Sequence, residues 1–136
     1  MRPLTADGRA EVLATARALA ARGVTVAEIR HSGLARARET AEILGGTLAP
    51  PQGVHATAGL APEDDPDIAA AELNLAAEPL MLVGHLPHLA RLAATLVGRA
   101  DVERITFAPA TAVGFRRHAT CWELELIVPS ETGARP

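Results

Sequence analysis

The residues of this chain best suited to chemistry are an arginine and a histidine, each set just past a strand-like run. The first lies in His31–Ser32–Gly33–Leu34–Ala35–Arg36–Ala37–Arg38–Glu39–Thr40 and the second in Leu80–Met81–Leu82–Val83–Gly84–His85–Leu86–Pro87. Each segment reads as a strand that stops abruptly and turns into a helix. In an α/β protein such turns gather at the carboxyl edge of the sheet, where ligands bind. With Ser32 read as an N-cap, Arg36 stands at the end of the first helical turn. Its side chain leans back toward the free N–H groups. A planar guanidinium over a helix N-terminus suits a phosphate. His85 follows an apolar run and a glycine that permits a tight turn. His31 is placed either to line the same pocket or to cap its strand.

Each of these residues also has a plainer reading. Arg36 has Glu39 and Glu42 within reach on its own helix, and Arg38 reads as a surface residue because Glu42 lies at i+4. His85 could simply hydrogen-bond within its turn. His88, one turn along the next helix, reads as a surface residue. Glu63, Asp64 and Asp65 sit on a turn-rich loop, where carboxylates can act as general acids but more often cap a helix; capping is the reading taken. No histidine–cysteine cluster has metal-ligand spacing, so no metal is expected. No glycine-rich phosphate loop and no cofactor motif is present.

The elements that must position these residues alternate between helix and strand. Thr5 caps a helix over 6–22, with Asp7 in the first turn and Val12, Leu13, Ala16, Leu19 and Ala20 at helical spacing. Gly23 is its natural stop. A strand over 24–31 leads to a helix over about 33–45 that Gly45–Gly46 should end. Val54–Ala56 is a short strand, and Asp64 or Asp65 caps a helix reaching about Ala77. Leu80–Val83 is a four-residue apolar run bounded by Pro79 and Gly84, the pattern of a parallel strand covered on both faces. A helix over 86–97 buries Leu89, Leu92, Ala93 and Leu96, and Val113–Arg116 with Trp122–Val128 reads as a closing antiparallel pair. Phe107, Phe115 and Trp122 are expected in the core. The sum is one three-layer α/β/α sandwich over 1–128 with a mostly parallel sheet, followed by a polar tail over 129–136.

Bulk properties exclude several classes. The chain has 136 residues, 49% of them hydrophobic, which fits one domain with a real core and no disorder. The net charge is −3 and all thirteen basic residues are arginine, so no basic face points to nucleic acid. Cys121, the only cysteine, excludes an internal disulfide; it lies in an alternating apolar stretch and reads as a buried strand thiol. No apolar run reaches the roughly 20 residues a membrane span needs. Residues 1–5 have no signal-peptide core, so the expected location is cytoplasmic.

Four segments in order resemble the SixA-type phosphohistidine phosphatases of the histidine phosphatase (phosphoglycerate mutase-like) superfamily. They are Arg2–Pro3–Leu4–Thr5–Ala6–Asp7–Gly8–Arg9, His31–Ser32–Gly33 through Arg36 and Glu39–Thr40, Gly59–Leu60–Ala61–Pro62–Glu63–Asp64–Asp65–Pro66, and Val83–Gly84–His85–Leu86–Pro87. Each is weak alone; together they are specific and span nearly the whole chain. The resemblance implies a phosphoglycerate mutase-like fold and hydrolysis of phosphohistidine through an enzyme phosphohistidine. The nucleophile would come from an Arg-His-Gly motif on a first strand. Arg36 and His85 would then be the catalytic residues holding the phosphoryl oxygens, with Ser32 and His31 beside them as substrate-binding residues. The implied partner is a phosphohistidine-bearing phosphotransfer domain or phosphocarrier protein, or phosphate itself, with no membrane role.

In the family the Arg-His-Gly strand precedes the segment equivalent to Arg2–Pro3–Leu4–Thr5, which here follows Met1 directly. The expectation is therefore a fold with its first strand, nucleophile and first pocket arginine missing. Loss of the nucleophile of a covalent mechanism can cost about 10⁶ in rate. A non-catalytic protein that binds phosphate or a phosphoprotein is the alternative expectation, and a small-molecule phosphatase or mutase of the same superfamily is a third.

Overall fold

The computed structural model describes residues 2–119 and 121–130. Helix α1 (Ala6–Ala21) is capped by Thr5, whose side chain accepts from the Gly8 N–H. Strand β1 (Glu28–His31) is shorter than the 24–31 expected and enters helix α2 (Ala35–Leu48). Strand β2 (Val54–Ala56), helix α3 (Pro66–Leu75), strand β3 (Leu80–Val83) and helix α4 (His88–Val97) follow, and then a one-turn helix α5 (Arg99–Val102). Strands β4 (Ala112–His118) and β5 (Cys121–Val128) close the order.

Three strands form a parallel sheet in the order β2-β1-β3, with Glu28–His31 of β1 in register with Leu80–Val83 of β3. The β4–β5 hairpin forms a second, antiparallel sheet with a bulge between Gly114 and Phe115. It does not join β3. Period-two alternation along β3 sorts the layers. Met81 and Val83 pack against the α1/α2 core of Val12, Leu19, Ile29, Ala41, Leu44 and Val128. Leu82 packs against the α3/α4 core of Leu60, Ala69, Ala70 and Leu92. The architecture is therefore the expected helical layers on both faces of a parallel sheet.

Several local expectations are corrected. Gly45 and Gly46 lie inside α2, which runs on to Leu48 and ends at Ala49 in the left-handed region (φ 48°). A Cβ at Gly45 would come within 2.6 Å of the Val54 side chain, so this glycine lets helix and strand touch and does not stop the helix. α3 ends at Leu75, short of Ala77, where Arg117 donates to the terminal carbonyls of Leu73, Asn74 and Ala76.

Cys121 is exposed, because it opens β5 opposite His118 at the outer end of the hairpin, past the core. His88 is fully buried, since it shares a helical face with Leu92, four residues on, which packs into the α3/α4 core. Phe107, Phe115 and Trp122 are half-buried and line a trough instead of filling the core. All four residues of β3 are likewise only half-buried, although the run is wholly apolar. Asp65 caps α3 as expected, and Asp64 accepts from the Ala61 N–H. Ser130 is buried, and the rest of the expected tail, 131–136, lies outside the described residues.

Candidate active site

The carboxyl ends of β1 and β3 are adjacent because the strands are parallel and paired His31 to Val83. The residues that follow each strand therefore meet. Ser32 Oγ lies 2.6 Å from His85 Nε2, a contact between positions 53 apart in sequence. Ser32 is not the N-cap: that place is taken by Leu34, which has no side-chain capping bond. Ser32 Oγ accepts from the Leu34 N–H at 3.3 Å, so it links the first residues before α2 to the histidine.

The shifted cap puts Arg36 at the second position of α2, nearer the free N–H groups than expected. It is exposed, and its Nε donates to the Arg2 carbonyl at 3.2 Å. Among the described residues no carboxylate is within ion-pair distance of it, so neither Glu39 nor Glu42 neutralises it. Arg38, by contrast, pairs with Glu42 at 3.7 Å, as its spacing predicted. The free N–H end of α2, Arg36, Ser32 and His85 thus converge on one edge of the sheet. Donors placed in this way can hold an oxyanion.

His31 does not share this contact. It is 6% exposed, and its Nδ1 accepts from the Gly33 N–H at 3.0 Å, which closes the turn after β1. Burial pushes the His31 pKa below its ordinary value of 6.5. Burial, then the neighbouring His88, pushes that of His85 below 6.5 as well. Both rings are consequently neutral at pH 7. Below pH 6.5 the unfolded chain binds protons at these two positions before the folded chain does. Stability is therefore full above pH 6.5 and falls as pH drops through the two folded values. Urea midpoints measured from pH 7.5 to 5 should decline, and His85→Gln should flatten the slope. An unchanged slope would remove His85 from this account.

The loop over 59–66 supports the histidine. A Cβ at Gly84 would sit 3.2 Å from the Leu60 carbonyl, so glycine is what allows the β3 turn to seat against this loop. Glu63 is exposed and pairs with Arg91 at 3.7 Å.

One supporting residue was visible in the motifs but not in its role. Glu39 is buried, binds Arg9 at 2.5 Å and accepts from the Leu4 N–H at 3.4 Å. It thereby ties the Arg2–Arg9 segment to α2 and brings the Arg2 carbonyl to Arg36. Arg9→Ala should cost about 1–3 kcal/mol by leaving this carboxylate short of a partner. Glu39→Gln should cost less than half as much, because the amide still accepts from both donors. Chemical denaturation distinguishes the two; equal losses would show that the pair carries no weight.

Comparison with known proteins bears on the fold. The model of the histidine phosphatase superfamily (branch 1) matches residues 2–61. The chain thus has the histidine phosphatase fold, and over those residues it carries that superfamily's sequence pattern. Within it, the likeness runs to SixA. A structure of the protein histidine phosphatase SixA complexed with tungstate aligns over 99% of this chain and 88% of its own, at 23% identity and a TM-score of 0.86. A structure described as a SixA phosphohistidine phosphatase of Agrobacterium tumefaciens aligns over 94% and 83%, at 18% identity and a TM-score of 0.81. A mycobacterial glucosyl-3-phosphoglycerate phosphatase also aligns, over 91% and 86%, at 19% identity and a TM-score of 0.69. No curated protein sequence matches the chain.

Proposed function

We propose that this chain forms the phosphoryl-binding part of a phosphohistidine phosphatase that acts on signalling or phosphocarrier proteins. The observation that carries this is the 2.6 Å Ser32–His85 contact beside an Arg36 that has no carboxylate partner among the described residues. A phosphoryl group entering the recess replaces that mutual hydrogen bond. Ser32 Oγ and His85 Nε2 then turn to its oxygens, and the Arg36 guanidinium supplies the positive charge. In phosphoryl transfer the charge spreads over three equatorial oxygens, so fixed cationic and N–H donors do most of the work. The tungstate held by the SixA structure, a tetrahedral oxyanion, supports the same reading for this recess.

The substrate class follows from leaving-group chemistry. A phosphoramidate nitrogen departs with little help, which suits a site whose nearest loop carboxylates are engaged as caps or paired with Arg91. The attacking histidine of such a mechanism would come from an Arg-His-Gly motif, and residues 1–136 contain none. A second reading is that the Ser32–His85 pair and Arg36 bind a phosphoprotein without turning it over.

The test is to mix the chain with a phosphocarrier protein phosphorylated on histidine, and to follow both complex formation and release of phosphate. Phosphate-dependent binding with release supports the phosphatase; binding without release supports the second reading. Equal affinity for phosphorylated and unphosphorylated carrier would overturn both.

A further inference from the structure

Between the outer sides of α1 and α2 runs a furrow of about 470 Å³, with Ala10 and Leu13 on one side, Ile43 and Gly46 on the other, and Arg9 and Glu42 at its rim. Its floor is apolar and it is open along its length. A small-molecule site encloses most of its ligand, which an open furrow does not do. A furrow between two helices suits a third helix, whose ridge of side chains lies in the groove. Gly46 leaves room for that ridge, because a Cβ there would meet nothing within 4 Å.

The furrow leads to the oxyanion recess. Arg9 meets Glu39 near the N-terminal ends of α1 and α2, so the two helices start side by side there. Ile43 follows Arg36 by two turns on the same face of α2. At about 1.5 Å per residue, Gly46 lies about 15 Å down the axis from Arg36. A helix seated in the furrow therefore reaches the recess within about ten residues.

Charge selects the partner. Residues 2–47 hold seven arginines and five acidic residues, whereas the rest of the chain holds six and eleven. In that first stretch six arginines are exposed, against only Asp7 and Glu42 among the acids. Glu42 is paired with Arg38. Arg17, one turn beyond Leu13 on α1, and Arg36 have no carboxylate within ion-pair distance among the described residues. The complement is a helix with one apolar stripe and carboxylates beside it. A nucleic acid would leave the apolar floor unfilled.

We propose that this furrow docks an acidic amphipathic helix of the phosphohistidine-bearing protein, with an apolar side chain over Gly46 and carboxylates facing Arg17. The inference rests on the phosphohistidine reading of the recess. The docked helix brings its phosphorylated histidine to Ser32, Arg36 and His85. Docking of this kind raises affinity for the phosphoprotein and leaves affinity for a free oxyanion untouched.

The test uses the whole chain and a helical phosphotransfer domain, phosphorylated on histidine, with carboxylates on the helix that bears it. Binding is read from the anisotropy of a label on the domain, and tungstate binding from titration calorimetry. Gly46→Gln fills the furrow without a clash, and Arg17→Glu reverses its charge. Each should weaken binding of the domain by about tenfold or more, with tungstate binding and urea stability kept. Arg99→Glu, the same charge change outside this layer, should leave both ligands unaffected. Replacing the domain's helix carboxylates by amides should abolish the effect of Arg17→Glu, which a merely structural role of Arg17 would not allow.

Four outcomes overturn the proposal. Binding of the domain that survives Gly46→Gln and Arg17→Glu but is lost in Arg36→Ala removes the docking site and leaves the phosphohistidine reading standing. Equal binding of the phosphorylated and unphosphorylated domain, indifferent to Arg36→Ala, removes that reading and the docking site with it. A dimer of this chain that Gly46→Gln makes monomeric means a second copy fills the furrow. Displacement of the domain by duplex DNA means a nucleic-acid surface.

Discussion

Arg36→Ala should weaken tungstate or phosphate binding to this chain by about ten- to a hundredfold, while Arg38→Ala leaves it unchanged. The two arginines lie two residues apart on one helix and are both exposed. Composition and exposure do not separate them; their partners do. Arg38 is tied to Glu42, whereas Arg36 donates only to a backbone carbonyl and keeps its charge for a ligand at the N-terminus of α2. A hydrogen bond to a charged group is worth about 1.5–3 kcal/mol, which is the stated range in affinity.

His85→Ala should fall in the same range, with an added loss because Ser32 is left without its partner at 2.6 Å. The double variant should bind below detection, although the two losses need not add, since both residues grip one ligand. Isothermal titration with tungstate reads all four proteins. Equal losses for Arg36→Ala and Arg38→Ala would show that binding depends on general positive charge and not on this recess.

The second large effect is a pair of opposite signs. Gly45→Ala should destabilise the fold by about 1–3 kcal/mol, the usual cost of overpacking. Gly46→Ala should stabilise it by about 0.5–1 kcal/mol, the ordinary gain of alanine over glycine inside a helix. Both residues lie within α2, so helix propensity treats them alike. What differs is the space outside the helix. A methyl at Gly45 runs into the Val54 side chain at 2.6 Å, and one at Gly46 meets nothing within 4 Å.

The clash has a specific remedy. Val54→Ala removes the obstructing methyls, so combining it with Gly45→Ala should recover part of the loss, a coupling that a double-mutant cycle measures directly. Stabilisation by Gly45→Ala alone would mean that α2 and β2 are not in contact in solution.

These two cases mark where sequence reasoning reached and where it stopped. Apolar periodicity was enough to locate α1, α4 and β3, because it records burial directly along each element. The order of helices and strands was enough for a layered α/β domain. The placement of the two turns was legible as well: a parallel sheet brings the turns after its strands to one edge, so the segments that carry Arg36 and His85 were expected side by side.

Other features depend on what packs against what. Gly45–Gly46 reads as a helix stop because glycine is a poor helix former; the touching β2 strand makes Gly45 a contact point instead. Cys121 and His88 were each assigned the wrong side of the surface. One lies at the end of a hairpin that outruns the core, and the other shares a helical face with Leu92. The partnership of Ser32 with His85 also required the folded chain. So did the furrow between α1 and α2. A residue's type and spacing determine which element it joins and which chemistry it can offer. Its partner is decided by elements far away in sequence, and only their packing brings those together.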